Sequence, residues 1–584
     1  MARISRKAFL RQAVMGGASL LVGRAAAAGI LQGSAPPFDI VVRNGRVVDG
    51  TGKPAFAASV GIRGGRIAEI GDIPASAGGQ VVDAGGRVVA PGFIDPHTHE
   101  EILLLRDPML EKFVRQGVTT IVNGNCGHSV VPYRASKVLE YWWREALISK
   151  DVREMRVDWD GIDGYARLVA ARGGTGVNSV MLLGYGAIRW GAMNGGHDRP
   201  PTGAEWREIE RLVRTGIEQG AVGLSTGLSY IPCRYADTGE LIRVGKILAA
   251  LDKTYASHTR FGRAGDPTGG LEAIEIGEKS GCRVQISHFV SRFKGSLDMV
   301  TAASQRGVRV AADVIPQSLS HRRRSNRMIE ALMVFYPGAF DKSDEELRAM
   351  LLDPVKRKDI VSRTNFFNND KAQVVIVRAE TPRFKPHVGK SIADLGRELG
   401  KDPNDLYVEM VLDRRDTVVF TFDGNTRQMS AGNEAALAKQ YGQDNLLPEG
   451  YWTRHRLFGP GSDSIPVDKA DPYGWYEQQR RGAFPGYFRL ARAQDVTLET
   501  RVEQAAALPA RQFNLSDRGT LEKGKAADLI VLDPEAYAFP APSDADPNDP
   551  GGLATGVSTV VVNGITVLLN GVLTGRRPGR VLTS

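Results

Sequence analysis

The sequence predicts an α/β protein: a (β/α)8 TIM-like barrel with a small β-sandwich built from both chain ends. Short apolar runs alternate with helical patterns through the middle of the 584-residue chain, and short alternating runs lie near both ends. Eight of the middle runs read as buried strands, and eight is the number that closes such a barrel. These runs are residues 92–95, 119–123, 179–183, 222–224, 254–257, 283–287, 309–314 and 457–461.

The β-sandwich is predicted from residues 38–90 and 511–584. Residues 40–48 read as two strands joined by a turn at Asn44-Gly45, because both central positions of a type I′ turn favour positive φ. Residues 559–567 repeat this design around Asn563-Gly564. Neither end alone has enough strands to bury a face, so we expect the two ends to pack together.

The predicted barrel, residues 91–510, is longer than the about 250 residues of a bare barrel. We therefore expect insertions, a helical one near residues 133–155 and a larger one near residues 317–449.

Residues 1–28 resemble an export signal. Arg6-Lys7 and Arg11 precede a short apolar stretch, and alanines at 25–28 permit signal cleavage. The pattern is twin-arginine-like, with Lys7 in place of the second arginine, so the general secretory route stays open. We expect an exported, periplasmic protein with no membrane span, because no run is long and apolar enough to cross a bilayer.

Charge and cysteine content exclude two classes of protein. Five basic residues before the first acidic residue account for +5 of the net charge of +9, and no basic stripe interleaved with aromatic residues remains to bind nucleic acid. Three cysteines cannot form a disulfide framework. We interpret Cys233 and Cys282 as core thiols.

Side chains that commonly bind metals lie at or just beyond the ends of five predicted strands, which is where a barrel keeps its active site. His97 and His99 point to one side of an extended segment and can share an ion. Nitrogen and thiolate ligands suit zinc, and a nearby carboxylate can move protons during hydrolysis. Taken alone, Cys126 would be a buried apolar residue and Asp463 a turn residue. The full set is His97, His99, Cys126, His258, His288 and Asp463. No role is assigned to His128, His197, His321, His387 or His455, which fit no strand-end series.

Several segments together resemble the amidohydrolase superfamily, and within it the N-acyl-D-amino-acid deacylases, or D-aminoacylases. Residues 91–99 read Pro-Gly-Phe-Ile-Asp-Pro-His-Thr-His, and further motifs lie at 117–127, 220–228, 257–260, 285–288, 461–463, 517–521 and 524–529. The resemblance covers nearly all of the chain after about residue 38.

The resemblance implies a ligand set and a base. Cys126, His258 and His288 would hold a tightly bound zinc ion, and His97 and His99, with Cys126 as a bridge, would form a second, weaker site. Asp463 would act as general base and then as general acid. No lysine lies in residues 183–189 or 222–233, which favours this branch over hydantoinase-like or dihydroorotase-like enzymes that bridge two metals with a carbamylated lysine.

The substrate implied by the resemblance is a small-molecule N-acyl-D-amino acid, hydrolysed to a carboxylate and a free amino acid. Arg260 and Tyr230 are candidate substrate-binding residues. The chain departs from the family at positions associated with substrate: 184–186, Val290, 315–317 and 480–482. Residues 321–324 supply positive charge, as a carboxylate clamp or as a solvated loop.

Other functions remain open at this point. The chain could be another exported metal-dependent amidohydrolase that acts as a peptidase, lactonase or imidase, or a non-catalytic barrel that binds a ligand. The acyl group, the side chain and the oligomeric state do not follow from the sequence.

Overall fold

The computed structural model describes most of the chain after residue 35. The described ranges are 36–131, 159–195, 198–260, 267–289, 294–316, 324–325, 344–363, 374–379, 381–403, 405–406, 409–410, 418–422, 442, 447–465, 482–539 and 552–583. The predicted export signal and the predicted helical insertion at 133–155 lie outside the described residues. None of the helices in these ranges combines the length and apolar character needed to cross a bilayer.

Twenty strands run through these ranges. They are β1 Phe38–Val47, β2 Phe56–Arg63, β3 Arg66–Gly71, β4 Gly78–Asp83, β5 Val88–Pro91, β6 Phe93–Asp95, β7 Val118–Asn123, β8 Asn178–Gly184, β9 Gly223–Gly227, β10 Thr254–His258, β11 Arg283–Ile286, β12 Val310–Val314, β13 Arg324–Ser325, β14 Val374–Ala379, β15 Val418–Phe422, β16 Phe458–Pro460, β17 Leu529–Leu532, β18 Val557–Val562, β19 Ile565–Leu569 and β20 Val572–Leu573.

The α-helices of the described ranges follow in chain order. They are α1 Leu103–Arg106, α2 Glu111–Val114, α3 Gly161–Ala171, α4 Tyr185–Ala192, α5 Gly203–Glu218, α6 Thr238–Ala250, α7 Pro267–Ser280, α8 Lys294–Gln305, α9 Asp344–Leu352, α10 Pro354–Arg363, α11 Ile392–Leu399, α12 Ala483–Ala493, α13 Leu498–Val502 and α14 Leu508–Gln512. A π-helical turn, Glu503–Ala507, joins α13 to α14.

The predicted fold class is confirmed by an eight-stranded parallel sheet in the order β6-β7-β8-β9-β10-β11-β12-β16. Each of the eight predicted runs overlaps one of these strands. Nearly every residue of these strands is buried, so their sequences lack the alternation of apolar and polar residues that a half-exposed sheet would show. Their carboxyl ends meet at one mouth, where the candidate site residues lie.

Both chain ends contribute to one β domain, as the sequence predicts. Strands β1 to β5 and β17 to β20 form a nine-stranded sheet in which β17 pairs antiparallel with β5. An isolated bridge joins Arg66 of β3 to Ala526, close to the start of β17, and apolar residues from both ends form a common core.

The two Asn-Gly pairs behave differently. Asn563 and Gly564 both have positive φ and join β18 to β19 as a hairpin turn, as predicted. The turn predicted at Asn44-Gly45 is wrong, because β1 continues through it. Asn44 has a φ of 55°, whereas Gly45 is absent from the positive-φ residues, so the chain forms a bulge opposite β2.

The large insertion predicted at 317–449 contains a third sheet, of three strands in the order β13-β15-β14. Helices α9, α10 and α11 lie in the same stretch of sequence.

Candidate active site

The structure brings all six predicted residues to the carboxyl ends of the barrel strands. His97 and His99 follow β6, Cys126 follows β7, His258 ends β10, His288 follows β11 and Asp463 follows β16. Their ligand atoms form two overlapping groups, each with all atoms within 4.8 Å of one another. We call Cys126, His258 and His288 the first metal group, and His97, His99, Cys126 and Asp463 the second metal group.

Distances in the first metal group fit one tetrahedral ion. Sγ of Cys126 lies 3.7 Å from Nδ1 of His258 and 3.7 Å from Nε2 of His288. Tetrahedral zinc with bonds of about 2.0–2.3 Å places its sulfur and nitrogen ligands about 3.6 Å apart. The spacing and the nitrogen and thiol donors therefore suit zinc.

The second metal group meets the same criterion with a carboxylate. Oδ1 of Asp463 lies 3.3 Å from Nε2 of both His97 and His99, and Nε2 of His97 lies 3.3 Å from Sγ of Cys126. Cys126 is common to both groups. The side chain of Asp463 is 18% exposed, whereas that of His97 is fully buried, so the carboxylate is the member that water can reach.

Three of the six residues have left-handed backbone. The φ values are 55° for Cys126, 35° for His288 and 50° for Asp463. Such conformations are costly for residues other than glycine and persist only where the surroundings hold them. Each turns the chain sharply at a strand end, which directs its side chain into the mouth.

Burial sets the protonation of the first metal group in the absence of an ion. It raises the pKa of the Cys126 thiol to about 11 and lowers the pKa of His288 to about 4. The pKa of His258 also falls well below its usual value, through burial first and the neighbouring His288 second. Neutral imidazoles are ready to bind a cation, whereas the thiol must lose its proton, so binding should release protons.

Asp313, within β12, was not predicted as a site residue. Its Oδ2 lies 3.1 Å from Nδ1 of His97 and accepts a hydrogen bond of 2.7 Å from the backbone N–H of His288. Its Oδ1 accepts a bond of 2.8 Å from the side-chain amide of Gln285. Asp313 thus contacts one member of each metal group, as outer carboxylates in metal sites commonly do. The signal in the sequence was a charged residue inside an otherwise apolar strand.

His128 also lies at the site, although no role is predicted for it from the sequence. Its buried ring has its centroid 6.4 Å from that of His99 and 5.1 Å from that of Tyr230. Burial lowers the pKa of His128 well below its usual value. Its position two residues after Cys126, in the same loop, was the available signal.

Tyr230 reaches the first metal group. Its hydroxyl lies 3.2 Å from Nδ1 of His258, and the two ring centroids are 4.5 Å apart. Its side chain is half-buried, which places a hydroxyl donor at the edge of the site.

The guanidinium of Arg260 is hydrogen-bonded to other groups of the protein. Its guanidinium donates to both carboxylate oxygens of Glu272, at 2.9 and 3.0 Å, and to the carbonyl oxygens of Arg234 and Ala236. These bonds use four of its five N–H groups. Its predicted contact with a substrate carboxylate stays a prediction.

Tyr185 is one of the positions that depart from the family pattern. It is buried, and its hydroxyl donates to Oε1 of Glu240, which also accepts from Nε of Arg189. Val290, residues 321–323 and residues 480–481 lie outside the described residues, as does His197.

Comparison with known proteins gives one consistent result. The Amidohydrolase family model matches residues 80–172 and 453–568. The chain is 29% identical to an N-acyl-D-glutamate deacylase of Alcaligenes xylosoxydans xylosoxydans over 559 residues, which cover 93% of this chain and 96% of that relative.

Two solved structures resemble the fold over 94% of this chain and 100% of their own length, each at 26% identity. One is an N-acyl-D-glutamate deacylase from Bordetella bronchiseptica, complexed with zinc and a phosphonate that mimics the tetrahedral intermediate, with a TM-score of 0.68. The other is a D-aminoacylase with a binuclear metal centre, in which one metal activates and the second metal attenuates. Its TM-score is 0.66.

Proposed function

The chain belongs to the amidohydrolase superfamily and, within it, to the D-aminoacylase family of metal-dependent amide hydrolases, and from this premise we propose that it is a zinc-dependent N-acyl-D-amino-acid deacylase. The observation that carries the proposal is the convergence of Cys126, His258, His288 and Asp463 at one barrel mouth. The chain also aligns with deacylases over nearly their whole length.

We assign the tight zinc site to the first metal group and a weaker site to the second. The first offers one thiol and two imidazoles, which would hold a zinc ion with three protein ligands, the number typical of catalytic zinc sites. The second shares Cys126 with the first and includes the proposed base, so an ion there would compete with proton transfer. This arrangement is consistent with a single zinc ion being sufficient for activity.

Zinc, when bound, supplies Lewis acidity toward the acyl carbonyl oxygen and toward the attacking water. Asp463 takes a proton from that water on Oδ1 as it attacks the carbonyl carbon. It then gives the proton to the amide nitrogen as the C–N bond breaks. The products are a carboxylate and a free amine, so Asp463 ends the cycle ionised.

Tyr230 and Asp313 assist without moving that proton. The hydroxyl of Tyr230, beside His258, can donate a hydrogen bond to the oxygen that becomes negatively charged in the tetrahedral intermediate. Asp313 orients His97 and the backbone of His288.

The test is hydrolysis by the purified mature protein, loaded with one equivalent of zinc. The panel comprises N-acetyl-D-amino acids, their L-isomers, D- and L-dipeptides and lactones, with release of free amine or acid measured for each. Faster turnover of the N-acetyl-D series supports the proposal. Turnover confined to dipeptides, lactones or imides, with none of the N-acyl amino acids, would replace it with the corresponding alternative.

Export and domain limits are further proposals, supported by sequence alone. The twin-arginine-like residues 1–28 would direct the protein to the periplasm, and the β domain would comprise residues 38–90 and 511–584. Cell fractionation and N-terminal sequencing of the mature protein test the first. Limited proteolysis tests the second.

A further inference from the structure

The first and last strands of the barrel, β6 and β16, are the two edges of the parallel sheet. The gap between them, which we call the seam, is bridged just beyond the strand ends. The backbone N–H of Asp463 donates to the carbonyl oxygen of His97 at 2.9 Å, and the N–H of His99 donates to the carbonyl oxygen of Ser464 at 2.7 Å. The residues that close the seam thus include the proposed base and two proposed ligands.

Asp463 needs support at this position because its backbone is left-handed, with a φ of 50°. A strained residue keeps its conformation only when neighbouring contacts over-determine it. The two seam bonds provide part of that support.

A buried cluster of charged and polar side chains provides further support for Asp463. Nζ of Lys112, from α2, donates to Oε1 of Glu100 at 2.6 Å and to Oγ of Ser464 at 2.9 Å. Oγ of Ser464 in turn donates to the same carboxylate oxygen of Glu100. The side chain of Lys112 is 9% exposed and that of Glu100 is fully buried. Glu100 directly follows His99, and Ser464 directly follows Asp463, so the cluster joins the two sides of the seam.

We propose that Lys112, Glu100 and Ser464 form a clamp that sets the position of Asp463 relative to His97 and His99. They are positioning residues, because none belongs to either metal group. The clamp goes beyond the deacylase assignment: it specifies what holds the base in place, and its catalytic consequence rests on that proposed function.

A buried lysine–glutamate pair adds little to the stability of the fold, because the desolvation of the two charges offsets much of their attraction. The location of the pair favours a geometric role. Carboxylates and ligands that are misplaced by about 1 Å can cost about 100-fold in rate. The buried Lys112–Glu100 pair lies on the β6 side of the seam, and its bonds to Ser464 on the β16 side restrict such displacement.

The main test is Lys112→Met, which keeps the length of the side chain and removes its charge. We expect a kcat about 10–100-fold lower with a nearly unchanged KM. The affinity of the second metal group for Zn²⁺ should fall by about 10-fold or more, while the first metal group keeps its ion. Zn²⁺ titration against a competing chelator measures both affinities.

A matched control comes from another buried ion pair, which contacts the chain at the amino end of β6. Arg518 pairs with Asp528, whose carbonyl oxygen accepts from the N–H of Gly92 just before β6 begins. Arg518→Met breaks this pair at the opposite end of β6. Both Arg518→Met and Lys112→Met should lower Tm, but Arg518→Met should leave kcat of the folded protein and the zinc affinity of the second metal group unchanged.

Hydrogen exchange gives a readout that needs no substrate. In Lys112→Met the amides of Asp463 and Ser464 should exchange faster than in wild type, and in Arg518→Met they should not. Ser464→Ala, a smaller change that keeps the ion pair, should shift the same amides and affinities in the same direction. It serves as the decisive variant if Lys112→Met does not fold.

The clamp proposal is overturned if Lys112→Met or Ser464→Ala folds and shows wild-type hydrogen exchange at Asp463 together with wild-type zinc affinity. Equal effects from Arg518→Met would also overturn it, because they would show general destabilisation. A wild-type protein that cleaves no N-acyl amino acid refutes the proposed function instead. The exchange and zinc measurements would still decide the clamp.

Discussion

Asp463 is bound to His97 twice: its backbone N–H donates to the carbonyl oxygen of His97 at 2.9 Å, and its Oδ1 lies 3.3 Å from Nε2 of the same residue. The main-chain bond does not depend on the carboxylate. A substitution that changes only the chemistry of the side chain should therefore leave it in place.

Asp463→Asn tests the proposed base. Asparagine tolerates left-handed backbone, so the seam should be preserved, but an amide cannot take up the proton. We expect kcat to fall by about 100- to 10,000-fold while the first metal group retains zinc. Steady-state kinetics with metal analysis measures both. Asp495→Asn is the control, since Asp495 also has positive φ but is exposed and belongs to neither metal group. Full turnover by Asp463→Asn would show that another group is the base.

Asp313→Asn tests the carboxylate that touches both metal groups. Asparagine keeps a hydrogen-bond acceptor but loses the charge beside Nδ1 of His97. Zinc affinity of the second metal group should fall by about 10- to 100-fold. Competition with a chelator measures it, and Asp313→Ala should have the larger effect. Unchanged affinity in both variants would limit Asp313 to holding the backbone of His288.

The sequence predicted the barrel well for a physical reason. Strands buried on both faces are mostly apolar, so runs such as 179–183 stand out between helical patterns. The turn predicted at Asn44-Gly45 is wrong because this pair permits a turn without requiring one. Pairing with β2 on one side and with β4 and β5 on the other kept β1 extended through it.

Only the site residues that lie at the ends of strands could be predicted from the sequence. His97 and His99 are conspicuous because two imidazoles follow a buried strand at alternate positions. Asp313 and Lys112 contact the site through the fold rather than through a motif. Glu100 and Ser464, which meet at Lys112, are 364 residues apart, and nothing local in the sequence encodes that contact.

Cys126→Ser tests the residue common to both metal groups. A serine hydroxyl is a much weaker zinc ligand than a thiolate, so the variant should lose metal from both groups and lose activity with it. Metal analysis of freshly purified protein measures the loss. Cys282→Ser changes another buried thiol outside either group and should keep its zinc. Retention of zinc by Cys126→Ser would contradict the assignment of this ligand.

Tyr230→Phe removes the hydroxyl beside His258 and little else. If that hydroxyl donates to the tetrahedral intermediate, kcat should fall by about 100- to 1,000-fold with zinc retained. Tyr487→Phe is the control: its hydroxyl binds Oε1 of Gln504 in the core, so its loss should affect stability and leave turnover of the folded protein intact. A rise in KM alone for Tyr230→Phe would assign the hydroxyl to substrate binding.

Arg260→Met separates the substrate contact that the sequence predicts from the support that the structure shows. Because the guanidinium is bound to Glu272 and to the carbonyl oxygens of Arg234 and Ala236, its removal takes this donor from both carbonyls and leaves Glu272 with the bond from the hydroxyl of Thr238. We expect a loss of about 1–3 kcal/mol in the free energy of unfolding, with KM for an N-acetyl-D-amino acid changed little. Thermal unfolding and kinetics measure the two effects. Glu272→Gln, which weakens the same bonds from the other side, should lower stability in the same way. A KM raised about 10-fold or more in Arg260→Met, with stability unchanged and no such effect in Glu272→Gln, would establish that Arg260 leaves Glu272 to bind the substrate carboxylate.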